Sequence, residues 1–152
     1  LDLMQLIGGE IETVKGMTTN LGDYGDNFEV EDTALAKINF KNGIKGIYFA
    51  TVTYTDNSSV EFQVITEKAK FTIKDSILAI SKKREPKRIL VEDNKLKGTK
   101  FYYGASHEEL IKKFYYCIEN STDDYIHIED TVPAMEMIEM IKSTSEKNKA
   151  EI

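Results

Sequence analysis

The sequence has 152 residues, a formal net charge of −6, 41% hydrophobic residues and 30% charged residues, which is ordinary for one globular domain, 1–152, with its own core. The acidic charge and the presence of only two arginines argue against nucleic-acid binding, and no apolar run reaches the roughly 20 residues that cross a bilayer. The single cysteine, Cys117, cannot pair within the chain, which predicts a cytoplasmic protein.

The first residues predict the end of a helix. Leu1–Ile7 is largely apolar and stops at Gly8-Gly9, and glycine is the residue that most often ends a helix. The segment has no starting methionine, so we expect the chain to be a piece of a larger protein. After the two glycines, residues 10–20 predict a strand and residues 22–27 predict a polar loop.

Residues 30–54 predict a β-hairpin. Two β-rich runs, 35–40 and 44–52, flank Asn42-Gly43, and both residues of this pair tolerate the positive φ of tight turns. The second run is apolar on both faces, unlike a half-solvated strand; its faces hold Ile44, Tyr48 and Val52, and Ile47 and Phe49. We expect helices to cover one face and another subunit or a missing domain to cover the other. The alternative is a central strand with mildly apolar outward positions.

Further strands precede two helices. The strand signals lie at 60–64, 71–73, 77–80 and 88–91. One helix begins at Ser106, which with Glu109 predicts a capping box, and its apolar stripe is Leu110, Ile111, Phe114, Cys117 and Ile118. A second opens at Asp130, and its apolar face is Met135, Met137, Ile138, Met140 and Ile141. This order predicts an α+β fold: an open, mostly antiparallel sheet with helices packed on one face.

The ordered motifs resemble the C-terminal domain of the Gfo/Idh/MocA family of NAD(P)-dependent oxidoreductases. The start of the chain resembles the end of the family's catalytic helix, and the later segments resemble its hairpins and closing helices. The matching segments are Asp2–Glu10, Glu31–Ala34, Phe40–Gly43, Gly46, 60–73 and 114–143. The resemblance covers nearly the whole chain. It departs at Thr66 and Ala69, where the family usually has glycine, and this leaves the local turn geometry open.

The resemblance implies a two-domain parent enzyme. In the family, an N-terminal Rossmann domain binds NAD or NADP, and a C-terminal domain like that of glyceraldehyde-3-phosphate dehydrogenase shapes the substrate pocket. Residues 1–8 would then be the tail of the interdomain catalytic helix. The catalytic His, the catalytic Lys and the G-x-G-x-x-G loop would lie before Leu1. We therefore expect no catalytic, cofactor-binding or metal-binding residue in this chain.

The function implied by the resemblance is substrate binding and oligomerisation. The parent enzyme would be an NAD(P)-dependent dehydrogenase for a sugar, polyol or related hydroxy compound, and this chain would be inert by itself. Homo-oligomers would form through the open face of the sheet, with neither nucleic acid nor membrane as a partner. The alternative is a stand-alone α+β ligand-binding or dimerisation module, which would have its own start codon near Leu1.

Three polar residues are the candidate substrate-binding site. Asp56, Asn57 and Ser58 fall in the segment from which several family members reach into the sugar pocket, and hydroxyl-rich substrates need such hydrogen-bonding groups on a rigid scaffold. The alternative is an ordinary polar hairpin turn.

Other chemistry-bearing residues favour structural interpretations. His107 and His127 have no nucleophile at a readable spacing. An acidic cluster lacks the EF-hand order and reads as a solvated loop; its members are Asp23, Asp26, Glu29, Glu31 and Asp32. A basic run reads as a solvated turn, or else as an anion or cofactor-phosphate contact; its members are Lys82, Lys83, Arg84, Lys87 and Arg88. Cys117 lies on an apolar helical stripe and reads as an inert core residue.

Overall fold

The computed structural model describes residues 1–22, 30–55, 58–94 and 106–150, with side chains up to 146. The chain divides into two compact units, each with its own antiparallel sheet. The first unit joins Leu1–Thr55 to Ile126–Ile152, and the second is Asp56–Tyr125.

The first unit contains two helices and a three-stranded sheet in the order β1-β2-β3. A short 3₁₀ turn, Ile128–Thr131, leads directly into its long helix. The elements are α1 (Asp2–Gly8), β1 (Ile11–Thr19), β2 (Thr33–Phe40), β3 (Lys45–Thr51) and α3 (Val132–Ala150). The helix end, the first strand and the hairpin all occur where the sequence predicts them.

One face of the first sheet carries the core of its unit. The core residues of the sheet pack with two residues one turn apart on α3, Met137 and Ile141, which are at most 3% exposed. The sheet contributes Val14, Ala36, Ile38 and Phe40. The α3 residues Met135 and Met140, which we expected on the apolar face, are exposed, because the contact with the sheet is narrower than the stripe of apolar residues.

The β2–β3 turn is one residue longer than a two-residue Asn-Gly turn. Positive φ occurs at Gly43 (87°) but not at Asn42. The amide of Gly43 donates to the carbonyl of Phe40 (2.9 Å), and the amide of Phe40 donates to the carbonyl of Ile44 (2.9 Å). This pattern is a three-residue hairpin loop with glycine in the left-handed position.

The second unit contains a four-stranded antiparallel sheet in the order β4-β5-β6-β7 and one helix. The elements are β4 (Phe62–Ile65), β5 (Lys70–Lys74), β6 (Ile77–Ser81), β7 (Arg88–Glu92) and α2 (Ser106–Glu119). Asp75 and Ser76 both have positive φ and close a two-residue β5–β6 turn. At the β4–β5 turn, the Thr66 hydroxyl accepts the amides of Lys68 and Ala69 (3.3 and 3.1 Å), so this turn closes without glycine.

The predicted α+β class with antiparallel strands is confirmed. The described strands form two hydrogen-bonded sheets rather than one continuous ladder. On α2, only Cys117 of the predicted apolar stripe is buried within the described part of the chain. Ser106 already lies inside this helix, and the residue before it is outside the described residues, so the capping box stays a prediction.

Candidate functional site

Helix α1 is seated on the two strands that flank the β2–β3 turn. Gly8 lies on the ring of Phe40: a Cβ added to Gly8 would come within 2.5 Å of a ring carbon. Met4 lies one turn earlier on the same helix face, and a Cβ added to Gly46 would come within 2.5 Å of the Met4 methyl carbon. Leu1 also packs against the core. Both glycines therefore permit a close approach that a larger side chain would prevent.

Polar groups tie the end of α1 to the same turn. Asn42 donates its side-chain N–H to the carbonyl oxygen of Gly8 (2.9 Å), and its side-chain oxygen accepts the amide of Ile44 (3.1 Å). The Lys41 amide donates to the carbonyl of Glu10 (2.9 Å), and the two side chains form an exposed ion pair. The hydrogen bond and charge of Lys41 lower the pKa of Glu10. The carbonyl of Gly8 is one that α1 itself leaves unpaired.

Within the described part of the chain, the second face of the first sheet is open and apolar. We call it the open face, and it is formed by Met17, Leu35, Ile47 and Phe49 with Lys15 and Lys37. The four apolar side chains are between 43% and 70% exposed. Leu35 pairs with both Met17 and Phe49, and Lys37 pairs with both Lys15 and Ile47. The apolar side chains are therefore contiguous across all three strands, with two lysines beside them.

A buried carboxylate links the residues just after β1 to the start of β2. Asp32 is 4% exposed, and it accepts the amides of Leu21 (3.0 Å) and Gly22 (2.7 Å) and the hydroxyl of Thr33 (2.7 Å). Burial by itself raises the pKa of Asp32, but the hydrogen bonds from Leu21, Gly22 and Thr33 outweigh it and hold the pKa below its ordinary value. Asp32 therefore acts as an ionised structural anchor, a role that the sequence argument for a solvated acidic loop missed.

The structure describes one of the three predicted substrate-binding residues, Ser58. Asp56 and Asn57 lie outside the described residues. Ser58 is exposed, and its hydroxyl donates to the carbonyl of Ser59 (3.3 Å). Ser59 in turn donates to the carboxylate of Asp75 (2.7 Å) and accepts its amide (2.9 Å). The described end of this segment is thus tied to the β5–β6 turn, and the site itself stays a prediction.

The remaining candidates are dispersed. His107 is exposed on α2, whereas His127 lies at the start of the 3₁₀ turn, where its amide donates to the Asp130 carboxylate (2.9 Å). Cys117 is 1% exposed, as expected for a core thiol. The acidic residues Asp23, Asp26 and Glu29 lie outside the described residues. The basic run spans the β6–β7 turn and ends at Arg88, the first residue of β7. Among the described residues, no His, Cys, Asp and Glu side chains cluster as metal ligands would.

Comparison with a family model supports the resemblance drawn from the sequence. Residues 1–72 match the model of the GFO/IDH/MocA C-terminal domain, so the predicted resemblance is confirmed. No curated protein matches the chain. Within the described residues, no helix is both long enough and apolar enough to cross a membrane.

Solved oxidoreductases share the fold over nearly the whole chain. Levoglucosan dehydrogenase, in complex with NADH and levoglucosan, is 15% identical with a TM-score of 0.75, and the match covers 96% of this chain and 45% of that one. UDP-N-acetylglucosamine 3-dehydrogenase from Acidithiobacillus ferrooxidans is 13% identical with a TM-score of 0.74, covering 96% and 44%. An oxidoreductase from Sinorhizobium meliloti is 17% identical with a TM-score of 0.69, covering 97% and 48%. The chain thus spans less than half the length of these structures, with which it shares the fold.

Proposed function

We propose that this chain, whose residues 1–72 match the GFO/IDH/MocA C-terminal domain, is the substrate-binding and oligomerisation domain of an NAD(P)-dependent oxidoreductase. The parent enzyme would contain an additional cofactor-binding domain and would act on a sugar, polyol or related hydroxy compound. In such an enzyme the bound nicotinamide transfers the hydride. This chain would supply one wall of the substrate pocket and the contact between subunits.

The observation that carries this proposal is the family match, together with the fold of the matched segment. The matched segment contains α1, the first sheet and the β4 strand. Shared fold alone does not fix an activity, but the matching structures include a levoglucosan dehydrogenase with NADH and a UDP-N-acetylglucosamine dehydrogenase. Both act on carbohydrates, which supports a hydroxylated substrate for the parent enzyme.

The test of this proposal is an assay of the parent enzyme with NAD and with NADP. We expect substrate-dependent reduction of one of these cofactors by a sugar or polyol panel, and no turnover by this chain alone. The proposal would be contradicted if the parent enzyme bound neither NAD nor NADP and turned over no member of the panel.

The substrate contact is proposed for Asp56, Asn57 and Ser58. In the parent enzyme, Asn57→Ala would raise KM or lower kcat, because a carboxamide that hydrogen-bonds a sugar hydroxyl would be lost. Thermal unfolding should be unchanged. Thr55→Ala is the matched control, since Thr55 is an exposed neighbour of the proposed site. Unchanged kinetics of Asn57→Ala across the substrate panel would remove this site.

A stand-alone α+β binding or dimerisation module is the second candidate. It is favoured by the hydrophobic core of the first unit, in which sheet residues pack with Met137 and Ile141 of α3. The two functions differ in the coding sequence upstream of Leu1. A Gly-rich βαβ segment there supports the dehydrogenase, and a start codon at Leu1 without that segment supports the module.

A further inference from the structure

Helix α1 owes its position to contacts outside itself. It has seven residues, no side-chain cap at its first residue and no basic side chain in its last turn. Helices this short are marginal in water without tertiary contacts. Its contacts are with α3, with β3 and with the turn between β2 and β3, and the only side-chain hydrogen bond to it among the described residues comes from that turn.

Those contacts fix the helix in two different ways. The two close approaches, Gly8 on Phe40 and Met4 on Gly46, fix which face of the helix meets the hairpin. The hydrogen bond from Asn42 to the carbonyl of Gly8 is directional and ties the last turn of the helix to one position beside the β2–β3 turn. Asn42 is itself held by the amide of Ile44, so its side chain is oriented from within the turn.

The geometry points to Asn42 as a positioning residue for helix α1. We propose that the turn of Lys41, Asn42 and Gly43 sets the direction and axial position of α1, and thereby the position of the chain that enters it at Leu1. This inference rests on the proposed function, in which that entering chain carries the catalytic acid–base residue. Asn42 would act through α1 and touch neither substrate nor cofactor.

The test uses Asn42→Asp in the parent enzyme. This substitution keeps the oxygen that accepts the Ile44 amide but removes the N–H donated to Gly8, and it sets a negative charge beside a helix C-terminus. Asn39→Asp is the matched control: it makes the same chemical change, but Asn39 donates to the Thr13 hydroxyl (2.7 Å) on the open side of the sheet.

The first readout is hydrogen exchange of the α1 amides. Gln5 and Gly9, whose amides bond within this helix, should exchange about ten-fold faster in Asn42→Asp, while amides of β1 and β2 are unchanged. Asn39→Asp should leave α1 exchange unaltered. Equal α1 exchange in all three proteins would overturn the proposal. Gly8→Ala is a second variant, because its added methyl group must displace α1 from the Phe40 ring.

The second readout separates positioning from folding. Asn42→Asp should lower kcat about ten-fold while KM for the substrate and for the cofactor stays near its original value, because misplacement by a fraction of an ångström weakens catalysis more than binding. Faster α1 exchange with unchanged kcat would overturn the catalytic part of the proposal. A parent protein without any oxidoreductase activity would instead refute the proposed function, and the exchange result would still decide whether Asn42 holds α1.

Discussion

At the residue scale, one ionised side chain, Asp32, joins the residues just after β1 to the start of β2. Its two oxygens take three N–H or O–H donors from Leu21, Gly22 and Thr33, and its own amide donates to the side-chain oxygen of Asn20 (3.1 Å). A neutral amide in its place would turn one N–H group toward these donors. All three donors are therefore satisfied by a carboxylate, whereas a neutral polar side chain would leave one of them without an acceptor.

Asp32→Asn should destabilise the protein by several degrees in thermal midpoint at neutral pH. The folded pKa of Asp32 lies below the unfolded value of about 3.9, so its contribution is present above that pH and is lost as the pH falls through the folded pKa. The difference in midpoint between the native protein and the variant should therefore stay constant from about pH 7 to about pH 5 and shrink as the pH falls below about 4. Thermal unfolding across this range measures it, and a pH-independent difference would contradict an ionised anchor.

At the residue scale, local patterns predict some roles and miss others. The burial of Cys117 follows from its place on an apolar helical stripe, and the glycine turn follows from Asn42-Gly43. The bond from Asn42 to Gly8 joins residues 34 positions apart, and no local pattern contains such a partner. For the same reason the sequence predicts Asp32 to be one residue of a solvated acidic loop. Its donors, the amides of Leu21 and Gly22, are 11 and 10 positions away in the chain.

At the scale of elements, α3 is joined to the edge strand β1 by two hydroxyl groups. The amide of Gly16 donates to the Thr144 hydroxyl (2.9 Å), and the amide of Thr18 donates to the Ser145 hydroxyl (2.9 Å). Edge strands present unpaired N–H groups, and here α3 satisfies two of them. A Cβ added to Gly16 would come within 2.9 Å of Ile141, so glycine at this position lets helix and strand approach.

Ser145→Ala should lower the free energy of unfolding by about 1–2 kcal/mol, because it leaves the buried amide of Thr18 without its acceptor. Thr144→Val should have a similar effect through Gly16. Ser143→Ala is the matched control, since Ser143 is exposed on the same helix, and it should change stability by much less. Urea denaturation followed by circular dichroism measures all three, and equal losses for Ser143 and Ser145 would contradict this assignment.

The order and type of the described elements follow from the sequence, whereas their mutual packing does not. Alternation of apolar residues predicts the strands, and the helical period predicts α2 and α3. The apolar face that periodicity predicts on α3 is broader than the part that packs on the sheet. Met137 and Ile141 are buried, whereas Met135 and Met140 are exposed. The width of a contact depends on the partner element, which the helix sequence does not encode.

At the scale of the whole molecule, the open face is the surface that the sequence argument anticipated. The two-sided apolar pattern of β3 required a cover on each side. On the core side of β3, Tyr48 packs against the core, but Ile44 (43% exposed) and Val52 (70% exposed), which flank the strand, are exposed. On the other side, Ile47 (70% exposed) and Phe49 (60% exposed) lie uncovered within the described residues. Contiguous apolar patches of this kind mark sites of association. Under the proposed function, the cover is a second copy of the parent enzyme's sheet.

A double substitution, Ile47→Glu with Phe49→Glu, should therefore convert an oligomeric parent enzyme to a monomer. Both side chains point away from the core, so the fold should persist. Burying two carboxylates at a subunit contact should cost more than such a contact supplies, even with Lys37 opposite position 47. Met135→Glu is the matched control, because Met135 is an equally exposed apolar residue on α3 (57%). Sedimentation analysis of the three proteins measures their mass. A parent enzyme that is monomeric before any substitution, or one whose double variant keeps its oligomeric mass, would show that the open face serves another purpose.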